Sequence, residues 1–292
     1  MPGVRYLSLD EQLCSEWRIA RNGPTGHYSR KNVGYLEAMR DGARCIFETD
    51  DDNFPLLFWG VRTEEISARR VNDRGWINVF RQFTDRRVWP RGFPLESIAS
   101  SMDHEIEFDP AAVKVRAPIQ QGLANGSPDV DAIWRLVFDE PIEFRDGPSL
   151  LLPPGSWCPF NSQSTWWYSL AFPLLYLPSN CSFRMTDIWR SFVAQRCLWA
   201  LGMGVVFHGA EMRQERNPHN LLRDFEQEVS GYIGNGKIAA MLESLPLRTG
   251  EEHVAANLRV CYEALAGHGF VPSDELALVD SWLSDIQTIL HH

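Results

Sequence analysis

The sequence predicts an α/β fold with a helical C-terminal part, and three observations support this prediction. Strand-like and helix-like segments alternate through residues 30–233, whereas the apolar spacing is helical from about residue 221 onward. Hydrophobic residues make up 44% of the 292 residues, which is enough for a sizeable core. A cluster of carboxylates follows the first strand-like run, where α/β sheets bind ligands. We predict an α/β domain over residues 1–220, with a helical extension over 221–292 packed on it.

The first predicted unit is a helix, a tight turn and a strand. Residues 30–43 have a rough apolar helical face, and Gly42 is positioned to end the helix. The strand-like run RCIFET follows at once and leads into Asp50, Asp51 and Asp52. The carboxylates therefore stand at the carboxyl end of the predicted strand.

The middle of the chain is mixed in character. Residues 75–83 and 114–123 are predicted strands, and an Asn-Gly-Ser-Pro turn leads into a helix or buried segment over 129–138. Residues 148–180 are rich in aromatic residues and proline, and we predict irregular, well-packed loops there. Their tryptophans are expected to be core residues: Trp157, Trp166 and Trp167.

The later elements are mainly helical. Residues 186–202 have regular helical spacing, with Thr186 or Asp187 as the expected cap and Gly202 as the expected end. A strand is predicted at residues 204–211. Further helices are predicted over 220–233, around 254–265 and around 279–290.

Charge and cysteine content limit the class of protein. The formal net charge is −10, whereas binding to a phosphate backbone favours a basic face, so nucleic acid is not expected as the main ligand. The six cysteines are scattered, without zinc spacing, and are expected to be reduced core residues. The longest apolar stretch is about a dozen residues and ends in proline, too short to span a bilayer, and we expect a soluble chain.

Asp50 and Asp52 have the chemistry of a divalent-cation site. In an extended segment alternate side chains share a face, so these carboxylates would lie about 7 Å apart. Mg²⁺ and Mn²⁺ prefer oxygen ligands and fill their open positions with substrate phosphates. From the residues alone, a solvated acidic turn or a calcium loop explains the cluster equally well.

Four stretches of the sequence resemble the STELLO-type glycosyltransferases, which are similar to the reversibly glycosylated polypeptides of plants. The stretches are RKNVGYLEAMRDGARCIFETDDDN (30–53), QGLANGSPDVDAIWRL (121–136), residues 161–199 and RNPHNLLRDFEQE (216–228), in the family's order. They cover most of residues 5–230. The resemblance implies a Rossmann-like nucleotide-sugar domain of the glycosyltransferase A type, with a metal-binding Asp-x-Asp.

The resemblance also implies a metal site and its ligands. Asp50 and Asp52 would bind Mn²⁺ or Mg²⁺, with Asp51 turned toward the sugar or a backbone donor. A late histidine often completes the metal shell in this fold, and His219 is the favoured candidate over His208.

Further positions in the matching stretches would contact the substrate. The substrate-binding set is Arg30, Lys31, Asp51, Asp129, Asp131, Arg216 and Asn217. Arg30 and Lys31 precede the first helix and would meet phosphate, although an ordinary solvated pair is the alternative. Asp129 and Asp131 would hold sugar or acceptor hydroxyls, and a capping role is equally compatible with their position.

Asp187 is the candidate catalytic residue. Many A-type transferases that invert the anomeric centre use an acidic residue at a helix start to deprotonate the acceptor hydroxyl, and a helix N-terminus keeps such a carboxyl ionised. A plain helix cap is the alternative. Arg184 and Arg190 could each pair with Asp187 or with phosphate.

The expected function is metal-dependent transfer of a sugar from a nucleotide-diphosphate sugar, with a UDP-sugar favoured, to a glycan or other hydroxyl acceptor. The alternatives are a nucleotide-sugar mutase on the same site and a non-catalytic scaffold that keeps the fold. In the family a strand ending in Asp-x-Lys-Thr-Pro precedes the aligned region and usually forms part of the nucleotide pocket. This strand is absent from the sequence. Either the start is truncated, or the base is bound differently, or the protein does not use a nucleotide sugar. We expect a cytoplasmic location, or the Golgi lumen if the chain is an excised catalytic region.

Overall fold

The computed structural model describes residues 3–217 and 220–290. Within these residues the α-helices are α1 (Leu9–Cys14), α2 (Arg18–Asn22), α3 (Lys31–Arg40), α4 (Phe80–Phe83), α5 (Leu95–Asp103), α6 (Ala132–Val137), α7 (Thr186–Ala200), α8 (Leu221–Ser244), α9 (Val254–Gly267) and α10 (Glu275–Leu290). The strands are β1 (Cys45–Thr49), β2 (Asn53–Pro55), β3 (Glu65–Arg70), β4 (Gly75–Trp76), β5 (Val113–Arg116), β6 (Ile119–Gly126), β7 (Leu150–Leu152), β8 (Ser156–Trp157), β9 (Ser164–Tyr168) and β10 (Val205–Gln214). Short 3₁₀ helices occupy Tyr28–Arg30, Ser169–Leu175, Phe183–Met185 and Glu251–His253.

A mixed sheet forms the centre of the molecule. Its strands lie in the order β1-β9-β6-β10-β7-β3-β5, with β2 paired to the far end of β10, while β4 and β8 form a separate pair. β6 and β10 are parallel, and β9 lies antiparallel between β1 and β6. The predicted α/β class is confirmed.

The topology brings three strand ends to one edge of the sheet. Because β9 is antiparallel to both of its neighbours, β1 and β6 run in the same direction, and β10 runs parallel to β6. The chain leaves these strands at Thr49, Gly126 and Gln214. The segments that follow them therefore meet beyond the same edge, which is the usual position of a ligand site in such sheets.

One continuous hydrophobic core extends from the N-terminal helices to the C-terminal ones. It includes Trp17 beside α2, Trp167 in β9 and Phe192 in α7, together with Leu258 of α9 and Trp282 of α10. α10 packs against α2 and α3, and α9 packs against α7. The division of the chain at residue 220 stays a prediction.

Most of the predicted elements are confirmed. α3, β1, α7, β10 and the C-terminal helices lie where the apolar spacing places them. Gly42 and Gly202 follow α3 and α7 with φ of 84° and 70°, in the left-handed region that glycine adopts at low cost. As predicted, the indole rings of Trp157, Trp166 and Trp167 are buried.

Several expectations about local structure are wrong. Residues 148–180 contain β7, β8 and β9 rather than loops alone, because a strand buried on both faces, such as β9, has no alternating pattern to detect. Only Gly75 and Trp76 of the stretch 75–83 form a strand, and α4 follows it. The N-cap of α7 is Met185, with no side-chain cap.

The acidic trio also departs from the expected extended geometry. Asp51 and Asp52 lie in a turn, and the amide of Asn53 donates to the carbonyl of Asp50 at 3.3 Å. The chain must reverse here because β2 pairs antiparallel with β10. The strand-based estimate of the Asp50–Asp52 separation therefore does not apply.

The cysteines are all free thiols, but they are not all core residues. Cys158, Cys197 and Cys261 are buried, whereas Cys14 is exposed. Within residues 3–217 and 220–290, none of the helices has both the length and the apolar character needed to cross a membrane.

Candidate active site

A cavity of about 510 Å³ lies beyond the edge where β1, β6 and β10 end. Its lining combines acidic and basic side chains: Lys31, Asp50, Asp51, Asp52, Arg91, Asp129, Arg135, Arg184, Asp187 and Arg216. The remaining lining residues are Tyr28, Thr49, Pro128, Val130, Gln163, Phe183, Gln214 and Asn217. The cavity is therefore strongly charged, with both signs represented on its walls.

Asp50 is held by an ion pair at one side of the cavity. Lys31 Nζ lies 2.6 Å from its Oδ1, and the Tyr28 hydroxyl donates to the same oxygen at 3.2 Å. Burial raises the pKa of Asp50 above its ordinary value, although Lys31 opposes this effect. Lys31 comes from the first turn of α3, so the predicted helix–strand unit does bring this cation and this carboxylate together.

Asp52 has one carboxylate oxygen that suits a cation. Its Oδ2 accepts from the side-chain amide of Gln214 at 3.0 Å. Its Oδ1 is buried and has no hydrogen-bond partner among the described residues. A buried carboxylate oxygen without a donor is costly, and a hard cation would satisfy it. Asp51 is exposed on the cavity lining.

The described residues hold no group of three or more His, Cys, Asp or Glu side chains arranged for a metal ion. His219, the expected further ligand, lies outside the described residues. His208 lies away from the cavity, where its ring bonds to Ser149 at 2.7 Å and Gln120 at 3.1 Å. Burial lowers the pKa of His208 well below its ordinary value, so the ring is neutral.

Asp187 is the second residue of α7 and faces the same cavity. Its Oδ2 accepts from Arg91 Nη2 at 2.9 Å and from the Ser162 hydroxyl at 3.2 Å. Burial disfavours the charge, but Arg91, with Arg190 and Arg184 further away, outweighs it and lowers the pKa of Asp187. Asp187 is therefore an ionised carboxylate at neutral pH.

Arg91 connects two of the predicted acidic positions. It forms a bidentate ion pair with Asp129, with Nε–Oδ1 at 2.7 Å and Nη2–Oδ2 at 2.8 Å. Its Nη2 also donates to Asp187. Arg91, rather than Arg184 or Arg190, is therefore the cation that pairs with Asp187. Arg190 instead forms a buried ion pair with Glu48 at 2.9 Å, and Arg184 pairs with Glu228 at 2.7 Å.

Two predicted substrate-binding residues lie outside the cavity lining. Arg30 donates to Gln12 at 2.8 Å and to the carbonyl of Ala20 at 2.7 Å, which ties α3 to the N-terminal helices. Asp131 is fully buried and caps α6 by accepting from the amide of Trp134 at 2.8 Å. The capping alternative considered for Asp131 is what the structure shows.

Several lining residues were not among the predicted site residues. Arg135 lies inside the matching stretch 121–136, and Tyr28 lies two residues before the stretch 30–53, so position in the sequence gave a signal for both. Arg91 lies in an irregular Pro/Arg-rich connection. No sequence pattern distinguishes it from its neighbours, because its role depends on two distant carboxylates.

Comparison with known proteins finds similarity to one family. Residues 184–292 match the family model of the STELLO glycosyltransferases. The chain is 31% identical over 310 aligned positions to Probable glycosyltransferase STELLO2 of Arabidopsis thaliana, and 29% identical to Probable glycosyltransferase STELLO1 of the same plant. The alignments cover 98% of this chain.

The chain is therefore similar to the STELLO glycosyltransferases over nearly its whole length. Its mixed α/β architecture is consistent with a glycosyltransferase A-like fold. The chain spans 39% of the length of each of these two relatives. The alignments therefore concern part of each relative rather than the whole of the larger proteins.

Proposed function

We propose that this chain, which is similar to the STELLO glycosyltransferases, transfers a sugar from a nucleotide-diphosphate sugar, most suitably a UDP-sugar, to a hydroxyl group of a glycan or other acceptor. One observation carries the proposal. A single cavity brings together a carboxylate turn, several arginines and an ionised carboxylate at a helix start. These are the groups that a diphosphate leaving group and an attacking hydroxyl require.

The carboxylate turn would hold the cation. Asp52 Oδ1 is the open ligand position, and Asp50 would become a second one if Lys31 moved from it toward a phosphate. Mn²⁺ or Mg²⁺ bound there would neutralise charge on the leaving diphosphate. Arg216 and Asn217 line the cavity just after β10 and would contact the diphosphate directly.

Asp187 is the candidate general base. The acceptor oxygen would form a bond to the anomeric carbon while the bond from that carbon to the diphosphate breaks, with the electron pair leaving on the phosphate oxygen. The hydroxyl proton would pass to Asp187, which Arg91 keeps ionised and oriented. This role applies to a transfer that inverts the anomeric configuration.

Calorimetric titration with UDP tests the cation-dependent part of the proposal. The wild-type protein should bind UDP at least about tenfold more tightly with Mn²⁺ than with EDTA, since a tenfold change corresponds to about 1.4 kcal/mol. Asp52→Asn should largely abolish this difference because the amide lacks the negative charge that attracts the cation. Asp41→Asn, an exposed position at the end of α3, is the matched control and should behave as wild type.

Equal UDP affinity in Mn²⁺ and EDTA, unchanged by Asp52→Asn, would contradict the cation site. Sugar transfer itself is tested by incubating the protein with UDP-sugars and hydroxyl acceptors, followed by chromatography of the products. Asp187→Asn should reduce product formation on the order of 100-fold or more if Asp187 removes the proton, and UDP affinity should stay within about threefold.

A further inference from the structure

We infer that Arg135, Arg184 and Arg216 form one binding site for a diphosphate group, and that two carboxylates of α8, Asp224 and Glu228, hold this arginine trio in position. The inference rests on the proposed function, whose leaving group the trio would receive. It adds a phosphate-binding element that operates without the cation, and it gives α8 a role in the site.

The trio is assembled from three separate parts of the chain. Arg135 lies in α6, Arg184 lies in the 3₁₀ helix before α7, and Arg216 follows β10. All three line the cavity, and their side chains are only 5%, 15% and 15% exposed, respectively. Long cationic side chains this well covered are ordered, so little conformational entropy would be lost when they bind a ligand.

Each guanidinium is fixed by contacts that use only part of its donors. Arg184 donates through Nε and Nη2 to Glu228 Oε1, at 2.8 and 2.7 Å. Arg216 Nη2 lies 2.6 Å from Asp224 Oδ2, and Arg135 Nη2 donates to the carbonyl of Pro128 at 2.7 Å. A guanidinium carries five N–H donors, so each side chain retains donors beyond these contacts.

The three positive charges lie close enough to repel one another. Burial lowers the pKa of Arg135 to about 10, with further lowering by Arg216 and Arg184 and a partial opposing effect of Asp139 and Asp129. Burial and then Arg184 also lower the pKa of Arg216. An anion placed among the three would relieve this repulsion, and guanidinium groups match phosphate oxygens in geometry as well as in charge.

α8 supplies both of the supporting carboxylates. Asp224 and Glu228 are four residues apart and therefore lie on one face of the helix. Glu228 is completely buried, and its Oε2 accepts from the amide of Ala132 at 2.8 Å and from the Tyr232 hydroxyl at 2.6 Å. Because Ala132 begins α6, Glu228 connects the helix that carries Arg135 with the side chain of Arg184.

Three guanidinium groups offer more donors than one phosphoryl group needs, so a diphosphate fits the trio better than a single phosphate. The trio also adjoins the carboxylate turn. The amide of Glu215, the residue before Arg216, donates to the carbonyl of Asp52 at 3.2 Å. A diphosphate bound through both phosphoryl groups to the arginines would therefore lie beside the turn, close to a cation bound at Asp52.

Calorimetric titration of the full chain with inorganic pyrophosphate in EDTA tests the inference. Wild-type protein should bind pyrophosphate more tightly than inorganic phosphate. Arg135→Gln and Arg216→Gln should each weaken pyrophosphate binding about tenfold, since each removes a charge-assisted contact. Arg213→Gln is the matched control, because Arg213 pairs with Glu143 outside the cavity lining, and its affinity should be unchanged.

Two further variants test whether α8 supports the arginine trio. Glu228→Gln should weaken pyrophosphate binding about threefold to tenfold because Arg184 loses its ionic partner. Tyr232→Phe removes a different bond to the same carboxylate and should leave pyrophosphate affinity unchanged. Circular dichroism verifies that each variant is folded. A purely structural role of Glu228 would instead give similar effects in both variants.

Two outcomes would overturn the inference: a folded wild-type protein that does not bind pyrophosphate in EDTA, or arginine variants that bind it as wild type does. Neither outcome decides the proposed function, which predicts UDP binding that depends on Mn²⁺ and Asp52. Conversely, loss of pyrophosphate binding in the arginine variants without any sugar transfer would support the anion site and contradict the transferase.

Discussion

Residues that looked alike in the sequence have different roles in the structure. Asp129 and Asp131 are two positions apart, yet Asp129 lines the cavity and pairs with Arg91, whereas Asp131 is buried as the cap of α6. The neighbours Arg30 and Lys31 also differ. Lys31 lines the cavity and pairs with Asp50, whereas Arg30 bonds to the N-terminal helices. Which neighbour faces the cavity depends on the local turn, so residue type alone could not assign these roles.

The burial of Asp131 predicts how the free energy of unfolding depends on pH. Burial raises the pKa of Asp131 to about 7, although hydrogen bonds from Trp89 and Trp134 oppose this effect. An unfolded aspartate has a pKa of about 3.9, so between about pH 4 and 7 the folded protein retains a proton that the unfolded chain has lost. The free energy of unfolding should therefore fall with rising pH in this window, by up to about 1.4 kcal/mol per pH unit from this group.

Urea unfolding of wild-type protein and of Asp131→Asn across pH 4–7 measures this contribution. The variant cannot titrate at this position, so its free energy of unfolding should depend less steeply on pH, whatever its absolute stability. Parallel pH profiles for the two proteins would show that Asp131 is ionised throughout this range.

At the scale of elements, C-terminal helices support distant parts of the chain through buried carboxylates. Glu275 at the start of α10 accepts from the amides of Ser179 and Asn180, at 3.0 and 2.8 Å, in the segment that leads to α7. Asp285 of α10 accepts from the amides of Arg18 and Ile19 in α2, both at 2.9 Å. α10 therefore supplies bonds that α2 and the segment before α7 cannot make locally.

Asp285→Ala tests this support. The first turn of α2 would lose two side-chain acceptors, and the free energy of unfolding should fall by about 1–2 kcal/mol, as for the loss of a helix cap. Asp280→Ala is the matched control on the same helix, because Asp280 pairs with Arg259 at an exposed position and should cost less than about 0.5 kcal/mol. Both values come from urea unfolding, and equal losses would contradict the capping role.

At the scale of the whole molecule, the core is shared along almost the entire chain. Leu258, Cys261 and Trp282 from the C-terminal helices belong to the same hydrophobic cluster as Phe192 of α7. Burial of such side chains stabilises the fold by roughly 1.5–3 kcal/mol each, which is large beside a net stability of about 5–15 kcal/mol.

A chain ending at residue 220 should therefore not fold cooperatively. It would lose α8, α9 and α10 and leave the apolar surface of α7 exposed. Thermal unfolding followed by circular dichroism should show no sharp transition, whereas a chain ending at residue 290 should unfold as the full chain does. A cooperative transition in the shorter chain would show that residues 1–220 are an independent domain.

The sequence by itself determined the α/β class, the helix–turn–strand unit at Asp50, the course of α7 and the C-terminal helices. These features depend on local spacing and on glycines that end helices, which are encoded over short stretches. The resemblance also selected Lys31, Asp50, Asp52, Asp187 and Arg216 as candidate site residues, and all five line the same cavity.

Only the tertiary structure decided which groups meet. Arg91 joins Asp129 and Asp187 across nearly a hundred residues of sequence, and Glu228 joins Arg184 to the start of α6. β9 is buried on both faces and so carries no alternating signal, yet its position between β1 and β6 aligns the strand ends that form the site. Ion pairs and strand order depend on distances between remote segments, and periodicity within a segment carries no information about those distances.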